Sequence, residues 1–119
     1  MQEVTPQVAD LDGRAMRLFL KAIELLGGPR GLVERRRLTW LPSLMEAAYA
    51  VVLREEGNKT VDEIASFLGV STAATRNILA ASPEMVQERL EGELEQERRS
   101  HVAGGLAKLA YMALRQEGE

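Results

Sequence analysis

The stretch TVDEIASFLGVSTAATRNIL, Thr60 to Leu79, has the rhythm of a helix, a tight turn and a second helix. Its first four residues make a capping box. The Thr60 hydroxyl accepts from a free N–H of the first turn, and the Glu63 carboxylate reaches back to the cap. Gly69 tolerates the positive φ that ends a helix, and Ser71 caps the next helix, which is expected to run to about Ala81. Two helices crossing at a steep angle need a small residue where they meet, and Ala65 supplies it. Val61, Ile64, Leu68, Val70 and Ile78 are spaced to lock the pair together. Thr75 departs from the pattern, since an aliphatic residue is usual at its position. Its methyl group can still pack while its hydroxyl bonds back to the preceding turn.

A helix-turn-helix of this kind reads DNA through the start of its second helix. The outward positions here are Ser71, Thr72, Ala73, Arg76, Asn77 and Ala80. Arg76 suits guanine and Asn77 suits adenine, while Ser71 and Thr72 suit phosphate. That set is thin, because affinity for DNA comes largely from neutralising phosphates. Near the motif only Lys59, Arg76 and Arg54 carry positive charge, and Asp62 and Glu63 offset them. The remaining candidate phosphate contacts are Arg35, Arg36 and Arg37, with Arg30 close by. The competing reading pairs these arginines with the acids of EGELEQE, residues 91–97, in a solvated or intersubunit ion network. Trp40, beside the cluster, reads as a core anchor rather than a base-stacking platform.

The rest of the chain reads as helices. Residues 1–9 form an arm. Asp10 or Asp12 caps a helix running to about Leu26, with Leu18, Phe19, Ala22, Ile23, Leu25 and Leu26 on its apolar face. Gly27-Gly28-Pro29 ends it. Arg30 to Leu41 is expected to hold a helical turn or two. Pro42 fits the first turn of the next helix, which carries Leu44, Met45, Ala48, Val51, Val52 and Glu55 on neighbouring rows and stops at Gly57. Ser82-Pro83-Glu84 starts a further helix. Beyond it Val86, Leu90, Leu94, Val102 and Leu106 fall on a spacing of four or its multiple. Such a row drifts roughly 160° between Val86 and Val102 at 3.6 residues per turn. Either a break near Arg98–Ser100 or a change of neighbours midway is therefore expected.

The last helix, Ser100 to Gln116, has a narrow side of Ala103, Gly104, Ala107 and Ala110. Adjacent glycines at 104 and 105 cost helix stability, so a close backbone approach is expected there. Ordinary packing within the chain and a kink are open alternatives. The sharper reading places a dimer interface on the small side, with residues 83–116 as the dimerisation region.

Composition narrows the classes. The chain has 119 residues, 45% hydrophobic and 4% aromatic, with a formal charge of −3. These values fit one helical domain of five or six helices, over residues 10–119, with no strand pair for a wing. There is no Cys and only one His, His101, so thiolate metal sites, thiol catalysis and a His cluster within one subunit are excluded. No GxxxxGK[ST] or GxGxxG loop is present, and the carboxylates lie in solvated runs. The sequence nominates no catalytic residue, metal or cofactor. No apolar run reaches the ~20 residues of a membrane helix, so the expected location is the cytoplasm.

Two segments together carry a resemblance. LTWLPSLMEAAYAVVLREEGNKTVDEIASFLGVSTAATRNIL, Leu38 to Leu79, and HVAGGLAKLAY, His101 to Tyr111, resemble a small archaeal family described as a regulatory domain encoded beside KaiC-like ATPases. The similarity spans about Leu38 to Tyr111. It implies a regulatory or sensory role and a KaiC-like ATPase as partner, and it implies no catalytic residues and no DNA site. The reading from sequence is thus an all-α, transcription-regulator-like DNA-binding protein acting as a homodimer. The alternative is a protein-interaction or sensory module, serving such an ATPase, that does not bind DNA.

Overall fold

Three of the helices start where a side chain accepts from a free N–H of the first turn. The computed structural model describes residues 8–34, 41–83 and 96–119, and six helices lie within them: α1 Leu11–Leu25, α2 Gly28–Glu34, α3 Leu41–Glu55, α4 Val61–Leu68, α5 Thr72–Leu79 and α6 Gln96–Gln116. The described residues contain no strand. Asp10 rather than Asp12 caps α1, with its carboxylate accepting from Gly13 N. Asp12 instead accepts a hydrogen bond from the Tyr49 hydroxyl at 2.7 Å. Gly27 and Gly28 take positive φ between α1 and α2, so the chain turns within two residues and α2 begins earlier than expected. Pro42 lies in the first turn of α3, where its missing N–H leaves no bond unmade.

The core forms where α6 packs against α1, α3 and α5. Leu18 and Ala22 of α1, Leu44, Ala48, Val51 and Val52 of α3, and Leu106, Ala110 and Leu114 of α6 are all buried there. A fully buried Leu contributes about 2 kcal/mol relative to an exposed one. Ala47, Ala50 and Leu53 are buried as well, so α3 is enclosed on more sides than its predicted stripe. Two residues expected on inward rows face out: Leu25 and Glu55 are exposed. Leu25 is the last residue of α1, where the chain is already turning into Gly27. Glu55 ends α3 and keeps its charge in water.

α6 is continuous from Gln96, so of the two expected alternatives the break near Arg98–Ser100 does not occur, and the change of neighbours along the row from Val86 involves residues outside the described ones. The expected dimer seam is also revised. Ala103, Gly104, Ala107 and Ala110 are buried within a single chain. A Cβ at Gly104 would collide with the Ile78 carbonyl oxygen and stand 2.9 Å from Ile78 Cα. The close approach demanded by the glycine is therefore between α6 and α5 of one molecule. The expectations for the arm before Val8, for Arg35, Arg36, Arg37 and Trp40, and for residues 84–95 lie outside the described residues.

An ion network joins α1 to the C-terminal end of α6. Arg17 binds the Glu119 carboxylate through two nitrogens, at 2.6 and 2.8 Å. Arg14 binds Glu56 at 3.0 Å and the Glu119 carbonyl oxygen at 2.9 Å. Lys21, its stem covered, bonds Glu117 at 2.5 Å and Glu24 at 3.2 Å. Gly118, at φ +84, turns the chain so that Glu119 N donates to Leu114 O. The Arg17 hydrogen bond holds the Glu119 carboxyl below its ordinary range.

Two outcomes follow from this packing. By helix propensity alone, Gly104→Ala should gain ~1 kcal/mol. Against Ile78 it should instead lose about 1–3 kcal/mol in denaturant unfolding, as overpacking does, with the sedimenting mass unchanged. A gain would refute the close approach. For Glu119, a lowered folded-state pKa means that the stabilisation is present above the ordinary carboxylate value and is lost as pH falls through the lowered one. Glu119→Gln should therefore lower the urea midpoint near neutral pH. Its difference from the unmodified chain should close on acidification.

Candidate functional site

The α4–α5 pair is built by two caps and one left-handed glycine. Thr60 Oγ1 accepts from Glu63 N at 3.1 Å, and Thr60 N donates to Glu63 Oε1 at 2.9 Å, which completes the capping box. Gly69, at φ +73, ends α4, and its N–H donates to Ala65 O at 2.9 Å. A side chain at that φ would be strained. Ser71 then caps α5 by accepting from Ala74 N at 3.0 Å. Only Gly69, Val70 and Ser71 separate the two helices.

Ile64, Ala65 and Ile78 are buried between the helices and the core. Thr75 is fully buried, and its hydroxyl donates to Ser71 O at 3.0 Å. The residue that departs from the usual pattern is thus accommodated: its methyl group joins the core and its hydroxyl has an acceptor one turn back. α5 ends at Leu79, two residues before the expected Ala81. Lys108 of α6 closes that end. Its ammonium donates to Leu79 O and, at 3.0 Å, to Ala81 O. A cation at a helix C-terminus also meets the negative end of the helix dipole. No local spacing signals this cap, because it joins residues 27 and 29 positions apart.

The outward side of α5 is open among the described residues. Ser71, Ala73, Arg76 and Ala80 are exposed, and Thr72 and Asn77 are half-buried. Arg76 has no acid partner among the described residues. Asn77 is engaged in an interaction of its own. Lys59 is half-buried just before α4, and its carbonyl oxygen accepts from Arg54 Nη1 at 2.9 Å. Arg54 is thereby partly spent on holding the chain into the motif. Asp62 is exposed on the first turn of α4, and Glu63 serves in the capping box. The face therefore carries little net positive charge, and the Arg35–Arg37 contribution lies outside the described residues.

A second surface was not anticipated. Phe67, on α4, is 54% exposed. Its ring meets Tyr49 of α3 at a centroid distance of 5.4 Å, tilted by 51°. The Tyr49 bond to Asp12, with a contribution from burial, pushes the phenol above its ordinary pKa. Met16 and Leu20, one and two turns beyond Asp12 on α1, are also exposed. A lone exposed Phe is unremarkable, but Phe67 tilted against Tyr49 makes a joint aromatic surface. No group of three or more His, Asp or Glu that could hold a metal occurs among the described residues. Nor is any helix among them long and apolar enough to cross a membrane.

Removing the Thr60 hydroxyl should leave the Glu63 amide without its partner. Thr60→Ala is expected to cost about 1 kcal/mol in denaturant unfolding. Adding Glu63→Ala should cost less than the two single losses combined, because the box is one unit.

No protein-family model matches this chain, no characterised protein matches it, and no solved structure matches it.

Proposed function

We propose that this chain is a helix-turn-helix DNA-binding protein of the transcription-regulator kind, with α5 as its reading helix. The observation that carries the reading is the side-chain division on α5. Thr75 and Ile78 are sunk into the core, while Ser71, Ala73 and Arg76 are left exposed and Arg76 is unpaired among the described residues. In this reading Arg76 meets a guanine edge, Asn77 an adenine edge, and Ser71, Thr72 and the region of Lys59 meet phosphates. Ala73 allows α5 to sit deep in the groove. One such helix offers little grip. The reading therefore includes a second copy reaching a second half-site, which raises the effective concentration of each. The pairing surface lies elsewhere than the buried Ala103–Ala110 row.

A second reading rests on Phe67 and Tyr49. In it the same pair of helices is a protein-interaction module, and the aromatic surface docks on a partner of the KaiC-like ATPase kind. The near-neutral face of α4 and α5 supports this reading, since protein contacts do not require phosphate neutralisation.

Duplex selection from a random pool at low salt, followed by mobility shift, separates the two. A DNA reader should lose affinity steadily as salt rises. Arg76→Ala should weaken binding by about 1–3 kcal/mol and relax preference at one base pair. No salt-dependent shift with any duplex, beside an ATPase complex that Phe67→Ser abolishes, would overturn the DNA reading in favour of the second.

A further inference from the structure

A groove of about 490 Å³ runs between α3 and α6, and none of Ser71, Ala73, Arg76 and Ala80 is among its lining residues. Among the described residues it is lined by Val51 and Glu55 of α3, by Pro83, and by Lys108, Tyr111, Met112, Arg115 and Gln116 of α6. That volume lies in the range of small-molecule sites. Its floor and sides are apolar along Val51, Met112 and Pro83, and Met112 is 48% exposed.

The charges in the groove are unevenly placed. Glu55 of α3 and Arg115 of α6 both line the groove with Tyr111, so the groove carries opposite charges there. Lys108 is one helical turn away, and no acid pairs with it among the described residues. An ammonium has three donors. Two are spent on Leu79 O and Ala81 O, which leaves a third for another acceptor. The other two bonds fix the position of this cation, so an incoming anion would meet a charge already held in place.

We infer that the α3–α6 groove is a binding site for a small monoanionic amphiphile, with its carboxylate on the third donor of Lys108 and its apolar body along Val51, Met112 and Pro83. A second negative charge would find no uncompensated cation, because Arg115 shares the groove with Glu55. The bound carboxylate shares one ammonium with the C-terminal carbonyls of α5. Occupancy is therefore felt at the end of α5, whatever that helix contacts. The inference does not depend on whether α5 reads DNA.

The test uses octanoate as probe and octanamide as its uncharged counterpart, with amide resonances followed by NMR on the full chain. Octanoate should shift the Lys108, Tyr111 and Met112 amides saturably, together with those of Leu79 to Ala81. Octanamide should bind at least ten-fold more weakly. Lys108→Met should remove that difference by weakening octanoate alone, whereas a collapsed groove would weaken both ligands. Met112→Glu, at an exposed position, serves if Lys108→Met fails to fold, and it should weaken octanoate at least ten-fold. Equal affinity for the two ligands, shifts centred on Met16 and Leu20, or no loss in Met112→Glu would each overturn the inference.

Discussion

The approach of α6 to α5 at Gly104 governs the rest of the structure. A helix whose backbone comes this close to a neighbouring carbonyl has no freedom to rotate, because only glycine fits. With Gly104 fixed against Ile78, Ala103, Ala107 and Ala110 are carried into the interior, and Leu106 and Leu114 join the core that α6 shares with α1 and α3. Lys108, one turn further on, then arrives at the end of α5 with its ammonium placed on two carbonyl oxygens. A contact between small residues thus sets where the large ones go. It also means that α5 is held from behind by α6, while its own cap and its glycine turn hold it from the front.

Local chemistry was legible in the sequence, and long-range chemistry was not. The capping box at Thr60 and Glu63, the left-handed turn at Gly69 and the cap at Ser71 each involve residues three or four apart, and all three were read correctly. The buried Thr75 was also foreseen, because its acceptor is one turn away. The helix count and the all-α class followed from the same local signals. The Lys108 cap, the Tyr49–Asp12 bond and the Arg17–Glu119 pair join residues 27 to 102 positions apart. No spacing rule reaches that far.

The small-residue side of α6 is the instructive error. Gly and Ala at helical spacing state that something comes close; they do not state whose backbone it is. The spacing leaves open a second subunit, ordinary packing within the chain or a kink, and the geometry places the chain's own α5 there. The predicted break near Arg98–Ser100 had a related cause. A row spaced by four drifts around a straight helix, which allows either a break or a change of neighbours, and the helix Gln96–Gln116 runs through Arg98–Ser100 unbroken. For the α5 face the limit was different. Ser71, Ala73, Arg76 and Ala80 are exposed while Thr72 and Asn77 are half-buried, and residue identity leaves the choice between phosphate and protein open when one arginine is all that the helix presents.

α6 also carries a consequence for synthesis. It follows every element that it holds together, and its partners on α1 lie about a hundred positions earlier. Until it has been made, Leu18, Ala22, Val51 and Val52 lack the surface that covers them. Until then the growing chain carries α1 and α3 with an open apolar face, the state in which aggregation and chaperone capture occur. The short, well-capped α4 and α5 can form on their own schedule, but α5 has nothing to seat against until Gly104 arrives. Completion of this fold is a single late event, and a chain interrupted before α6 would leave the ribosome with its core uncovered.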